Sequence, residues 1–327
     1  MKERDKFDPA VRSRQCLEAF RDGAPIVPRN FYFVRIPALT GNPDPEACYW
    51  AETDREHSPE GPKPYDAIRM SGRVEGRFIY RTVISRHLLP YVHARPATIV
   101  LPIIVQQGAV ELLTAEVLLR RGYPEFAKWM NIAETVWHNY RTGKIALTIY
   151  ERLDYYHNLS SQNLDEPHLV LYQVSADCST AAYVDRTEYP GFVVDHKMYG
   201  GVFRSSAEAH YITAILNSDV AHRVLHSNRG ATLSEELARP WKWQEADVPA
   251  FNPAHDMHLR IADVAIEIRA KSLELMKSSK FPDYSRRNGR QRTFIRRNLP
   301  SELKEVEQLV TDLLGSSMSK HDCRDRQ

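Results

Sequence analysis

Two sets of arginines carry the clearest chemical signal in this sequence. Arg286, Arg287, Arg290, Arg292, Arg296 and Arg297 fall within twelve residues of a chain whose formal net charge is only +2. Six guanidinium groups so close together can clamp successive phosphates of a polyanion. Gly289 would keep such a loop pliable, and Phe294 and Ile295 would anchor it. A run of charge is also the ordinary solvated surface of a loop. The second set, Arg69, Arg73, Arg77 and Arg81, recurs at every fourth residue. On unbroken strands that even spacing puts all four on one face. The face is then either a positive row or a solvated sheet surface.

Reading base edges needs other side chains. The loop from Asp154 to Asn163 carries Tyr155, Tyr156, His157, Asn158, Ser161 and Gln162. Asn and Gln can pair bidentately with adenine, as Arg does with guanine, and tyrosine rings can stack on bases. Trp241 and Trp243 lie in an extended connector of similar character. For each aromatic residue taken alone, packing is the safer reading. His222 with His226 and His255 with His258 have spacings that put two ligands on one helical face. No cysteine pair or acidic partner completes either set, so no metal site is expected. Pro282-Asp283 is not followed by an acidic-x-Lys pair, which argues against nuclease chemistry.

Composition sets the bounds. The 327 residues suffice for two domains or one large one. A hydrophobic share of 43% with 26% charged is that of a globular protein able to bury real cores. Cys16, Cys48, Cys178 and Cys323 form no CxxC pair and read as reduced thiols of a cytoplasmic protein. The charged N-terminus is no signal peptide, and no apolar run approaches ~20 residues, so no membrane span is expected.

The elements that must position these residues centre on one helix. Tyr211, Ile212, Ile215 and Leu216 recur at helical spacing. Ser205 or Ser206 can cap the helix, Glu208 can answer from its first turn, and Asn217 and Ser218 end it. The apolar run Phe192 to Asp195 reads as a buried strand before it, ending at His196, with Gly200-Gly201 as the turn between. Asp195, His196, Glu208, Tyr211, Ile215, Asn217 and Ser218 are therefore taken as structural. Further strands are expected over 28–37, 145–150, 169–174 and 181–184, with a β-meander over 66–105. Helices are expected over 7–20, from Val110 to Arg121, after Pro124, over 220–225, from His258 to about Met276 with Asn252 or Asp256 as its cap, and over 301–314. Phe126, Trp129, Met130, Ile132, Ala133, Val136 and Trp137 form a stripe that reads as core, with a base-stacking surface as the alternative. Residues 281–298 read as a basic loop. The fold class is α+β, antiparallel sheets with packed helices.

The wording of these segments resembles a known family. A strand ending in Asp-His and followed by "EAHYITAILNS" (Glu208 to Ser218) is similar to the C-terminal target-recognition region of large adenine-N6 DNA methyltransferases of restriction-modification and phage-defence systems. The stretches from Thr148 to Val184 and from Arg239 to Ala265 match flanking segments in order and spacing. The resemblance covers roughly residues 80–278. It implies a junction segment over 1–65, a target-recognition-like domain over 66–279, and a basic loop, helix and polar tail over 280–327. It also raises the phosphate-clamping reading of the late arginines to parity with the solvated one.

One absence is informative. Adenine-N6 transfer needs an Asn/Asp/Ser-Pro-Pro-Tyr/Phe loop to hold the flipped base, and this chain has none. "NPDPEACYW" (Asn42 to Trp50) and "GPKPYD" (Gly61 to Asp66) are imperfect echoes. A glycine-rich strand-to-helix turn for S-adenosylmethionine is also missing. The resemblance therefore implies a DNA-binding recognition portion without methyl transfer of its own. S-adenosylmethionine is expected on a catalytic partner or separate domain, and double-stranded DNA is the expected ligand. The alternatives are a complete methyltransferase or nuclease with unrecognised motifs, and an interaction subunit of a defence complex that does not bind DNA.

Overall fold

The computed structural model describes residues 20–58, 61–141, 146–173, 180–220, 248–283 and 289–322. In chain order the first half contains β1 (Phe20–Asp22), α1 (Arg29–Tyr32), β2 (Val34–Arg35), β3 (Cys48–Thr53), β4 (Ser71–Glu75), β5 (Ile79–Thr82), β6 (Ala97–Val100), β7 (Ile103–Gln106) and β8 (Ala109–Leu112). Three helices follow: α2 (Ala115–Arg120), α3 (Pro124–Tyr140) and α4 (Ile149–Leu153). The second half contains β9 (His168–Gln173), β10 (Ala181–Asp185), β11 (Met198–Phe203), α5 (Ser206–Asn217), α6 (Asp256–Lys277), α7 (Gly289–Asn298) and α8 (Pro300–Asp322). The fold is α+β, and all named strands pair antiparallel.

The largest sheet has the order β1-β11-β9-β10, with Gly201 opposite both Phe20 and Val170. Both its faces are buried. Val170, Tyr172 and Tyr183 face the core built by α5, α6 and α8. Their neighbours Leu169, Leu171 and Val184 face the opposite way, toward Val83, Leu88 and Phe192. Burial on both faces explains why these strands read as continuous apolar runs. The other core joins the small sheets β2-β3-β4, β5-β6 and β7-β8 to α3 through Phe31, Phe78, Phe126 and Trp129. The stretch read as a junction is woven into the fold, since it supplies β1, β2, β3 and the fully buried Phe31, Tyr32 and Phe33.

The helix expected to organise the chain is α5. The Ser205 hydroxyl accepts from the Glu208 amide at 3.2 Å, and Ile215 and Tyr211 are buried. Tyr211 donates its hydroxyl to the Pro249 carbonyl at 2.8 Å. Asn217 does more than end the helix. Its amide accepts from the Ala181 N–H at 3.1 Å and donates to the Ala181 carbonyl at 2.9 Å, pinning α5 to β10. Ser218 closes the last turn onto the Ile215 carbonyl.

Several expectations are corrected. Gly200-Gly201 lies inside β11 and is not a turn. A Cβ at Gly201 would sit 2.8 Å from the Phe20 ring, and one at Gly200 2.6 Å from Val194, so these glycines permit close packing. Residues 28–37 are broken by α1, whose carbonyls are taken up by tertiary donors. Trp129 Nε1 donates to Phe31 at 2.9 Å and Thr53 Oγ1 to Asn30 at 2.9 Å. Residues 110–121 begin as β8, because Gln107 and Gly108 adopt positive φ and turn a hairpin. Helix α2 starts only after Thr114, which caps it. The expected strand over 145–150 gives way to the start of α4, where Thr148 and Glu151 form a capping box. Residues 192–195 join the sheets only through the isolated bridges Arg81–Phe192 and Ala24–Asp195. Helix α6 begins after His255, without a side-chain cap from Asn252 or Asp256. The basic loop is largely helix α7, with Gln291, Arg292 and Ile295 on its buried face. Residues 7–19 and 221–225, and with them most of two expected helices, lie outside the described residues.

Candidate nucleic-acid interface

A cleft of about 880 Å³ lies beside α1. Val27, Pro28 and Arg29 form one part of its lining. The turn from Lys63 to Asp66, the end of α3, and Arg152 of α4 form others, and His196 and Lys197 close it. Arg29, Lys63, Arg152 and Lys197 line it with one carboxylate, Asp66, and Arg29 is paired with Asp195 beneath the lining, so the balance is positive. A concave surface with such a balance focuses positive potential.

Buried chemistry fixes the base of the cleft. Asp195 is fully buried, with Arg29 Nη2 3.4 Å from one carboxylate oxygen and His196 Nδ1 2.8 Å from the other. Burial lowers the pKa of the Arg29 guanidinium, while Asp195 pulls it back up. The Arg29 guanidinium also lies 5.3 Å over the Phe33 ring. The His196 amide donates to Ala24 at 2.9 Å, and Lys197 next to it has φ +66°. That left-handed backbone holds an exposed Lys197 at the cleft wall.

The polar loop foreseen between Asp154 and Asn163 stands at the mouth of this cleft. Tyr155 lines it, and Tyr156 is 79% exposed. Their rings lie 4.2 Å apart, and Arg152 sits 5.8 Å from the Tyr155 ring. Tyr156 and His157 both have positive φ, 56° and 60°. Two consecutive non-glycine residues in this region are strained, and they persist because the surroundings over-determine them. Asp154 supplies that constraint. Its carboxylate accepts from the amides of Leu159 and Ser160 at 3.0 and 2.8 Å and from the Ser160 hydroxyl at 2.8 Å. The loop thus holds an exposed aromatic ring in place at a backbone cost of roughly 1–3 kcal/mol per strained residue.

Other expected contacts are placed differently. Gln162 is buried, donating to Val194 O at 3.0 Å and accepting from Val194 N at 2.9 Å, so it serves as a strand partner and cannot reach a base. Asn158 is half-buried, with its carbonyl accepting from Gln162, and Ser161 is exposed. The spaced arginines do not form a row. Arg73 is exposed on β4, whereas Arg77 lies in a 3-10 turn and pairs with Glu46 and Tyr123. Arg81 lies on β5 in another sheet, against Thr98 and the Gly41 carbonyl, and Arg69 binds the Asp66 and Ile68 carbonyls. Helical turns between the strands break the alternation that the spacing assumed.

The late arginine cluster also divides. Arg292 is buried, and its Nε and Nη2 donate to the Leu88 carbonyl at 3.1 and 2.9 Å, a structural contact. Arg290 and Arg297 are exposed on α7 and Arg296 is half-buried. Arg286 and Arg287, like Trp241, Trp243, His222 and His226, lie outside the described residues. Of the other histidine pair, His258 accepts from the Asn252 amide at 3.0 Å and stacks on Tyr211. The four cleft cations were not singled out from the sequence. They come from separate segments and share no run or spacing, and only Arg152, one helical turn before Tyr155, carried a local signal.

No protein-family model matches the chain, and no curated protein matches it. Among solved structures, that of the type IIL restriction-modification enzyme MmeI in complex with DNA is similar, with a TM-score of 0.50 at 12% identity. The match covers 91% of this chain and 32% of that one, so the chain spans about a third of that enzyme's length. At this identity the likeness is one of fold. Among the described residues, no helix is long and apolar enough to cross a membrane.

Proposed function

We propose that this chain is a DNA-binding target-recognition portion of an adenine-N6 methyltransferase or restriction-modification system, and that the cleft beside α1 is its DNA-facing surface. The observation that carries the reading is the conjunction of four cations with Tyr155 in one cleft lining, beside the strained, exposed Tyr156. Cations that line a groove bind phosphates without regard to sequence, and a projecting ring stacks on a base. Support comes also from the fold, which is like part of an enzyme whose structure was solved with DNA. Methyl transfer and S-adenosylmethionine are assigned to a separate catalytic domain or subunit, consistent with the lack of a Pro-Pro-Tyr loop in the sequence.

The test is equilibrium binding of the purified chain to duplex DNA over a salt series. The reading expects binding whose logarithm falls linearly with the logarithm of salt concentration, by roughly one unit per phosphate contact. Tyr156→Ala should weaken binding by about 1–3 kcal/mol with the salt slope intact. Absence of duplex binding at low salt would favour an interaction subunit of a defence complex. Label transferred to DNA from S-adenosylmethionine by the chain alone would favour a complete methyltransferase.

A further inference from the structure

We infer that His57, His87 and Glu56 form a binding site for one divalent transition-metal ion of the Zn²⁺ class, with Asp54 orienting the His57 ring. One ligand atom from each of the three lies within 4.8 Å of the others. Their arrangement has the features of a built site. The Asp54 carboxylate lies 2.7 Å from His57 Nδ1, which places the proton on that nitrogen and leaves the lone pair on Nε2. His57 Nε2 is buried and has no hydrogen-bond partner. A buried acceptor of this kind is costly unless something occupies it. A carboxylate behind a histidine whose far nitrogen is open is the usual outer arrangement of a metal-bound imidazole.

The surroundings hold the rings. Phe33 stacks on His57 at 5.7 Å, and the His87 ring meets it edge-on at 5.4 Å between centroids. Asp54 is itself oriented by the Glu56 amide, which donates to its other oxygen at 2.9 Å. The Arg86 guanidinium donates to the Glu56 carbonyl at 3.3 Å and helps to fix that turn. Two imidazoles and one carboxylate suit Zn²⁺ and leave a fourth position for water. Metal–ligand bonds of about 2.0–2.2 Å require the three atoms to draw in by roughly an ångström, which the exposed Glu56 can supply. The ion would tie the turn after β3 to the turn after β5. Ser58, next to His57, lines the cleft, so occupancy would stiffen one cleft wall.

The experiment uses the full chain stripped with chelator. Titration with Zn²⁺ by calorimetry and with Co²⁺ by visible absorption should each give one equivalent. Co²⁺ should show the d–d bands of low coordination number, and Zn²⁺ should raise the Tm. His57→Gln and His87→Gln should each abolish uptake with an unchanged circular dichroism spectrum. Asp54→Asn should weaken it by about 10- to 100-fold. His255→Gln should leave it unaltered. Because Glu56 is exposed, Glu56→Gln folds in any case, and it should lower affinity at least tenfold. Failure of the stripped wild-type chain to bind either ion overturns the assignment. So does full-strength binding by Glu56→Gln, or loss of binding in His255→Gln.

Discussion

The sheet-and-helix half around α5 and the cleft beside α1 treat their polar groups in opposite ways. Around α5, buried side chains are tied inward: Asn217 to both backbone groups of Ala181, Tyr211 to Pro249, and Thr213 to Ala209. At the cleft, Lys197 and Tyr156 are held outward on left-handed backbone, and four cations share one opening. The first arrangement gains stability from packing. The second holds strained residues at a surface, as binding sites do. The segment of family-like wording, Glu208 to Ser218, is thus part of the buried scaffold.

This contrast can be broken first at the scaffold. Ile215 is 1% exposed, so Ile215→Asp buries an unpaired carboxylate, an effect of several kcal/mol, roughly enough to unfold a marginal domain. Chemical denaturation should show an unfolded or nearly unfolded chain. A native-like transition would mean that α5 is dispensable.

A smaller effect separates the arginines of α7. Arg292→Ala leaves the Leu88 carbonyl without its guanidinium and should lower stability by about 1–3 kcal/mol. Arg290→Ala, on the exposed face, should change it by no more than about 0.5 kcal/mol. Equal losses in the two variants would show that the buried and exposed faces of α7 do not differ as described.

A third test is pH. Burial pushes His210 and His258 down to about 4. An unfolded histidine titrates near 6.5. Between those values the unfolded chain binds more protons than the folded one, so stability must fall as pH drops from about 6.5 toward 4. Above that window these histidines contribute no pH dependence. Thermal melts over pH 4 to 8 should show this, with a shallower slope in His210→Gln. An identical slope would place the titrating groups elsewhere.

The scaffold was legible because its signals are local. The period of Tyr211, Ile212, Ile215 and Leu216 with the Ser205 cap suffices to place α5, and Pro124 at the first helical position suffices for α3. What escaped was decided by tertiary contacts. Gly200-Gly201 reads as a turn until Phe20 and Val194 are seen pressing against it. Arg292 reads as a free cation until the Leu88 carbonyl lies beside it. Thr148-x-x-Glu151 is a local capping-box signal, and it starts a helix inside the stretch 145–150 that otherwise reads as a strand. The loop at Tyr155 and Tyr156 was visible as a concentration of base-binding residue types. The cations near it were not, since Arg29, Lys63, Arg152 and Lys197 are scattered over 169 positions of the sequence.

Whether the cleft binds the DNA backbone is decided by comparing the triple variant Lys63→Ala, Arg152→Ala, Lys197→Ala with the double variant Arg290→Ala, Arg297→Ala. Duplex affinity is measured for both at several salt concentrations. The cleft variant should lose affinity for all sequences about equally and flatten the plot of log affinity against log salt by roughly one unit per contact removed, with an unchanged Tm. A cleft variant that keeps both its affinity and its salt slope, while the α7 variant loses them, would contradict the account and move the DNA-binding surface to α7.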